Sequence, residues 1–99
     1  MRKEGFNMAF YVAWLTIVDP ELNQKTRSRH LSYLQSLYQQ GKVAWAGPFI
    51  DKSGGMVVYK ADNDDEATEL AYHDPAVTSG ARSVVVKTWT LLDFDTLKI

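Results

Sequence analysis

A histidine beside a carboxylate is a device for moving protons near neutral pH, and this chain offers little material for one: 99 residues, 2 histidines and no cysteine. His30 precedes Leu34 by four residues and Leu37 by seven. At ~100° per residue this places Leu34 and Leu37 each within about 40° of His30 on a helical wheel, so His30 points inward. A buried histidine is costly unless its ring nitrogens find partners. It is therefore either a satisfied core residue or a group held in a pocket for proton transfer. Asp74 stands seven residues after Ala67 and four after Leu70, on the apolar side of a second helical segment, at its end. If the two helices lie side by side, His30 and Asp74 meet as a general acid–base pair. The alternative is that Asp74 braces the turn before Pro75. His73 points about 100° away from Asp74 and is expected to face solvent.

Arg27 belongs to a basic run with Lys25 and Arg29. Such a run reads as a solvated face, yet Arg27 is one turn before His30, about 60° round the wheel. Its two-pronged guanidinium is well placed to bind a carboxylate or enolate there. Gly47-Pro48 marks a strand irregularity, and a glycine also lets a ligand or another backbone approach closely. The candidate site is thus His30 and Asp74 as catalytic groups, with Arg27, Gly47 and Pro48 as substrate contacts. Trp14, Trp45, Trp89 and Phe49 read as core or interface, because no basic stripe interleaves with them. The chain has no Gly-rich phosphate loop, no G-x-S-x-G elbow, no H-E-x-x-H and no paired cysteines, so phosphoryl transfer, hydrolase and zinc-peptidase chemistry have no support. His30, Asp74 and a few exposed acids do not make the convergent ligand set of a catalytic zinc. Neither metal nor cofactor is expected.

The elements that must position these residues follow from pattern. A composition of 45% hydrophobic and 23% charged residues fits one ordinary globule, and 11 Lys+Arg against 12 Asp+Glu leave a net charge of −1. That balance nominates no nucleic acid and no anionic membrane. Arg2 and Lys3 before the apolar run Met8 to Val18 resemble the start of a secretory signal. The run is too short to span a bilayer as a helix, contains Thr16, and ends at Asp19-Pro20 without a small-residue cleavage pattern. It reads as a strand, and Met1 to Asn7 as a flexible leader before a single domain over 8–99. The absence of cysteine suits a reducing, cytoplasmic setting.

Ala9 to Val18 is apolar on both alternating faces, which describes a strand covered on two sides. Glu21 to Gln40 changes to helical spacing and stops at Gly41. Lys42 to Ile50, interrupted at Gly47-Pro48, and Met56 to Lys60 form a hairpin around the turn cluster Asp51 to Gly55. Asn63 with Asp64, Asp65 and Glu66 starts a second helix with a buried stripe of Ala67, Leu70 and Ala71, which Pro75 ends. Arg82 to Leu92 is the last strand. The order βαββαβ is the ferredoxin-like α+β arrangement, a four-stranded antiparallel sheet with two helices on one face. The second face, apolar on the first and last strands, needs a cover, and a second copy of the chain is the economical one.

Taken in order, Arg27-x-x-His30-Leu31, Leu34, Gly41-Lys42, Ala46-Gly47-Pro48, Gly55 before a strand and Asp74-Pro75-x-Val77-x-x-Gly80 before the final strand resemble the YciI-like (YCII-related domain) family. The resemblance runs from Met8 to about Leu92. It implies a homodimer of the dimeric α/β barrel type and a pocket whose His and Asp, proposed as catalytic, match His30 and Asp74. A relative acting as a dehydrochlorinase on a chlorinated aromatic, and wider kinship with muconolactone isomerase, imply proton-transfer chemistry on small cyclic compounds. Ala76 departs from the pattern, since many members carry Tyr or Phe there. Two functions are expected to compete: a cofactor-independent lyase or isomerase using His30 and Asp74 on a small, anionic cyclic metabolite, or a non-catalytic dimeric module that binds a small ligand or a protein.

Overall fold

The computed structural model describes residues 9–97. In chain order it comprises β1 (Ala9–Ile17), α1 (Pro20–Gln39), β2 (Val43–Pro48), β3 (Gly54–Tyr59), α2 (Asp64–Tyr72), α3 (Pro75–Thr78) and β4 (Arg82–Thr90). The strands form one sheet in the order β2-β3-β1-β4. Every neighbouring pair is antiparallel, and the helices pack on one face, the ferredoxin-like arrangement. The leader expected at Met1 to Asn7 lies outside the described residues.

Period-2 alternation sorts β1 cleanly. Tyr11, Ala13 and Leu15 are buried toward the helices, while Trp14 and Thr16 are exposed on the other side. β4 pairs with β1 along its whole length, from Ala9↔Thr90 to Ile17↔Arg82, so Arg82, Val84 and Val86 share the helix face with Ile17, Leu15 and Ala13. The helix-facing core joins Tyr11, Ala13, Leu15, Val57 and Tyr59 of the sheet to Leu34 and Leu37 of α1 and Ala67 and Ala71 of α2.

Caps fix where the helices begin. Asp19 caps α1 by accepting from the Leu22 N–H at 3.1 Å, with Pro20 following at the first helical position. Asn63 caps α2 by accepting from the Glu66 N–H at 2.9 Å, and Glu66 reaches back to the Asp62 N–H at 2.8 Å.

Two local expectations are corrected. β2 is not interrupted at Gly47-Pro48: the strand runs through Pro48, and the irregularity is a register shift between Val43 and Trp45. Pro48 is tolerated because β2 is an edge strand, where its missing N–H costs no ladder bond. Nor does Pro75 end the second helix. α2 stops at Tyr72, and Pro75 opens a separate short helix, α3, to which its fixed φ is suited.

The sheet face opposite the helices carries Trp14, Trp45, Val85 and Trp89, between 47% and 62% exposed. Phe10 stacks on Trp45 with centroids 5.6 Å apart, and Trp14 on Phe49 at 4.6 Å. These apolar groups pack on one another and no described helix covers them.

Candidate active site

His30 is 6% exposed and Asp74 is fully buried, and the two meet: His30 Nδ1 lies 2.8 Å from both carboxylate oxygens of Asp74. α1 supplies the histidine from the same inward stripe as Thr26, Leu34 and Leu37. Asp74 comes from the break between α2 and α3, where it also caps α3, its Oδ1 accepting the Ala76 N–H at 2.9 Å. One side chain therefore both braces the turn before Pro75 and contacts His30. The cap holds the carboxylate in place, and the carboxylate holds the ring. An ionised carboxylate only accepts, so the ring donates from Nδ1, and in the neutral imidazole Nε2 is left as the acceptor. Among the described residues Nε2 has no hydrogen-bond partner.

His30 lines a cavity of about 190 Å³ that crosses the sheet beneath α1. Its walls include Leu15 of β1, Gly47 and Pro48 of β2, Gly55 of β3 and Arg82 of β4, with Arg27 and Leu31 on the α1 side. His30, Arg27, Gly47 and Pro48 thus share one cavity, and Asp74 stands behind His30, bonded to it rather than lining the space. Arg27 is exposed, so it borders the open side. His73 is exposed and outside the site, its Nδ1 2.7 Å from the Glu69 carbonyl.

Gly47 and Gly55 lie on the paired strands β2 and β3, and their steric surroundings differ. A Cβ on Gly47 would meet nothing within 4 Å, whereas one on Gly55 would stand 2.7 Å from the Gly47 carbonyl oxygen. Gly55, which lines the cavity, must lack a side chain because a Cβ would strike the β2 backbone.

Sequence reasoning missed Arg82. It is 7% exposed and its Nε donates to Asn23 Oδ1 at 2.7 Å. Burial pulls its guanidinium below the ordinary arginine value, Asp74 works in the opposite direction, and Arg27 adds to the lowering. A signal was available: Val84 and Val86 alternate inward, which puts an arginine two residues earlier on the same apolar face. Burial also raises the Tyr59 phenol, with Asp74 and Tyr33 contributing, and raises that of Tyr33, with Asp74 contributing. Among the described residues, no three His, Asp or Glu side chains converge as metal ligands.

A ferredoxin-like sheet with a buried histidine–carboxylate pair at a small cavity defines the class. The chain belongs to the YCII-related domain family, whose match covers residues 9–90. It is 35% identical over 77 residues to the uncharacterized protein YjpA of Bacillus subtilis (strain 168), covering 78% of this chain and 91% of that protein. Among solved structures it is similar to a 5-chloro-2-hydroxyhydroquinone dehydrochlorinase from Burkholderia phenoliruptrix AC1100, in complex with 2,5-dihydroxybenzoquinone. The TM-score is 0.69 at 21% identity, covering 84% of this chain and 94% of that one, a likeness of fold.

Proposed function

We propose that this protein is a cofactor-independent acid–base catalyst of the lyase or isomerase type, acting on a small anionic cyclic metabolite. One observation carries the reading: the His30 ring is clamped through Nδ1 by the buried Asp74 carboxylate while it borders a cavity. In that arrangement Nε2 takes a proton from an acidic carbon or hydroxyl of the substrate, and Asp74 stabilises the imidazolium that forms. The proton returns to another substrate atom in an isomerisation, or an anion departs in an elimination; neither course calls on a metal or a redox group. Arg27, with backbone groups near Gly47 and Pro48, holds the substrate. Size supports the substrate class. A cavity of ~150 Å³ accommodates benzene, so about 190 Å³ suits one substituted ring. The dehydrochlorination named for the structural neighbour is chemistry of this kind.

The working unit in this reading is a cytoplasmic homodimer joined through the open sheet face, where Trp14, Trp45, Val85 and Trp89 seek a cover that an isologous contact supplies. Among the described residues no helix is long and apolar enough to cross a membrane. Light scattering at micromolar concentration should give twice the chain mass; a folded monomer across that range would defeat the dimer. Metabolite screening by thermal shift, followed by turnover assays, tests the chemistry. On an identified substrate, His30→Ala and Asp74→Ala should each lower kcat/KM by on the order of 100-fold or more. The double variant should be little worse than the poorer single one, because the pair acts as a unit. Turnover that survives His30→Ala nearly unchanged would leave a ligand-binding module in its place.

A further inference from the structure

We infer that Arg82 is the anchor for a planar oxyanion, a carboxylate or a ring enolate, and that it sets which ligands enter the cavity beside His30. The inference rests on the small-molecule reading of that cavity and names the chemistry its occupant must carry.

Among the described residues, Arg82 is a buried cation at the cavity wall that makes no ion pair. A guanidinium offers its Nε hydrogen and two terminal amino groups in a flat fork. Among the described residues only Nε is used, donating to Asn23 Oδ1 at 2.7 Å, and Arg82 makes no ion pair. Asp74, the one buried carboxylate among the described residues, does not take up the fork: its oxygens accept from His30 Nδ1 and the Ala76 N–H. Asn23 instead works as an orienting group. It lies one turn before Arg27 and two before His30 on α1, and its bond to Nε pins the guanidinium at the β4 side of the cavity. The terminal donors are left for what enters.

Arg27 strengthens the argument. It lines the same cavity from α1, and its charge, like burial, works against the protonated form of Arg82, while Asp74 works the other way. Two guanidinium groups facing one small space repel unless an anion stands between them. An entering oxyanion relieves the repulsion, gives Arg82 the charge partner its burial calls for, and places the ring of the ligand against Leu15, Leu31 and Leu34. A guanidinium fork pairs with carboxylate and phosphate oxygens alike, so it is the apolar wall of Leu15, Leu31 and Leu34 that favours an oxyanion carried on a ring over bare phosphate.

The test uses full-length protein and matched probes, followed by titration NMR on the Arg82 side-chain Nε–H signal and by calorimetry. Benzoate is compared with benzamide, and 1,3-cyclohexanedione, which ionises to an enolate, with cyclohexanone; inorganic phosphate is the third arm. At least one anion should shift the Arg82 signal and bind about 10-fold or more tightly than its neutral partner. Arg82→Met should erase that preference, Arg82→Lys should restore part of it, and His30→Ala should keep it. Equal binding of neutral and charged partners overturns the inference, as does failure of both anions to bind wild-type protein at millimolar concentration. Tighter binding of phosphate than of either planar anion does the same. Because the preference is read on wild-type protein, instability of a variant does not remove the test. Anion selectivity without any turnover would sink the acid–base reading and leave this one standing. His30-dependent turnover of a neutral substrate would do the reverse.

Discussion

On the helix-covered face of the sheet, Tyr11 sits opposite Tyr59, and four residues further along the same two strands Leu15 sits opposite Gly55. The first pair joins Val43, Leu37, Ala67 and Ala71 in a closed core. At the second, a glycine replaces a tyrosine, Pro48 stands across from it on β2, and the space above is the cavity. The contrast teaches how a small fold makes room for a ligand without a large insertion. One end of the sheet is filled with aromatic volume and the other is deprived of it. The polar groups divide the same way. At the open end His30, Asp74 and Arg82 are held by bonds that orient them, whereas at the closed end the Tyr59 hydroxyl is buried with no hydrogen-bond partner among the described residues.

The largest expected effect is at Gly54, next to the open end, where it pairs with Thr16. A Cβ on Gly54 would stand 1.8 Å from the Leu15 carbonyl oxygen, a backbone atom that cannot move aside without parting β1 from β3. Gly54→Ala should cost about 4 kcal/mol or more in urea unfolding; a loss below ~1 kcal/mol would show that β1 and β3 part easily at this point.

Next is the pair itself. Asp74→Ala strips His30 and the Ala76 N–H of their acceptor in a buried site and should cost about 3 kcal/mol. Asp74→Asn, which keeps a cap oxygen, should cost less. Chemical denaturation of both variants beside wild type checks the order, and equal stability of all three would mean that the carboxylate is idle as a brace.

The smallest effect has the opposite sign and lies at the closed end. Removing an unpartnered buried hydroxyl should make Tyr59→Phe as stable as wild type or about 1 kcal/mol more stable at pH 7. Because burial raises the Tyr59 phenol in the folded chain, its contribution is intact below the ordinary tyrosine value of ~10 and declines as pH rises above it, where the unfolded chain releases the proton first. Tyr11 and Tyr33, also raised, act in the same direction. Thermal melts from pH 8 to ~11 should therefore fall less steeply for Tyr59→Phe than for wild type; parallel curves would assign the alkaline loss to the other tyrosines.

Much of this was legible in order and spacing. The four strands and two principal helices follow from periodicity and caps, because apolar residues must reach one side and a chain end must satisfy its own N–H groups. His30 was readable as inward for the same reason, its distance from Leu34 and Leu37 being set by helix pitch. Local pattern could not show that α2 stops short of Pro75, since the break depends on Asp74 turning away to cap α3 and to reach a ring 44 residues distant.

What the sequence by itself determined is which residues face inward: alternation and helical period are properties of the chain's own geometry, and they put His30, Asp74 and, had the pattern been followed one pair further, Arg82 on the buried side. What only the tertiary structure decided is what each inward group meets there. The 2.8 Å contact of His30 with both oxygens of Asp74, the bond from Arg82 to Asn23 across 59 residues, and the glycine that must be Gly55 rather than Gly47 all depend on register and packing between elements. Such distances arise from strand pairing and helix placement, in which far-separated residues become neighbours, and no local spacing encodes them.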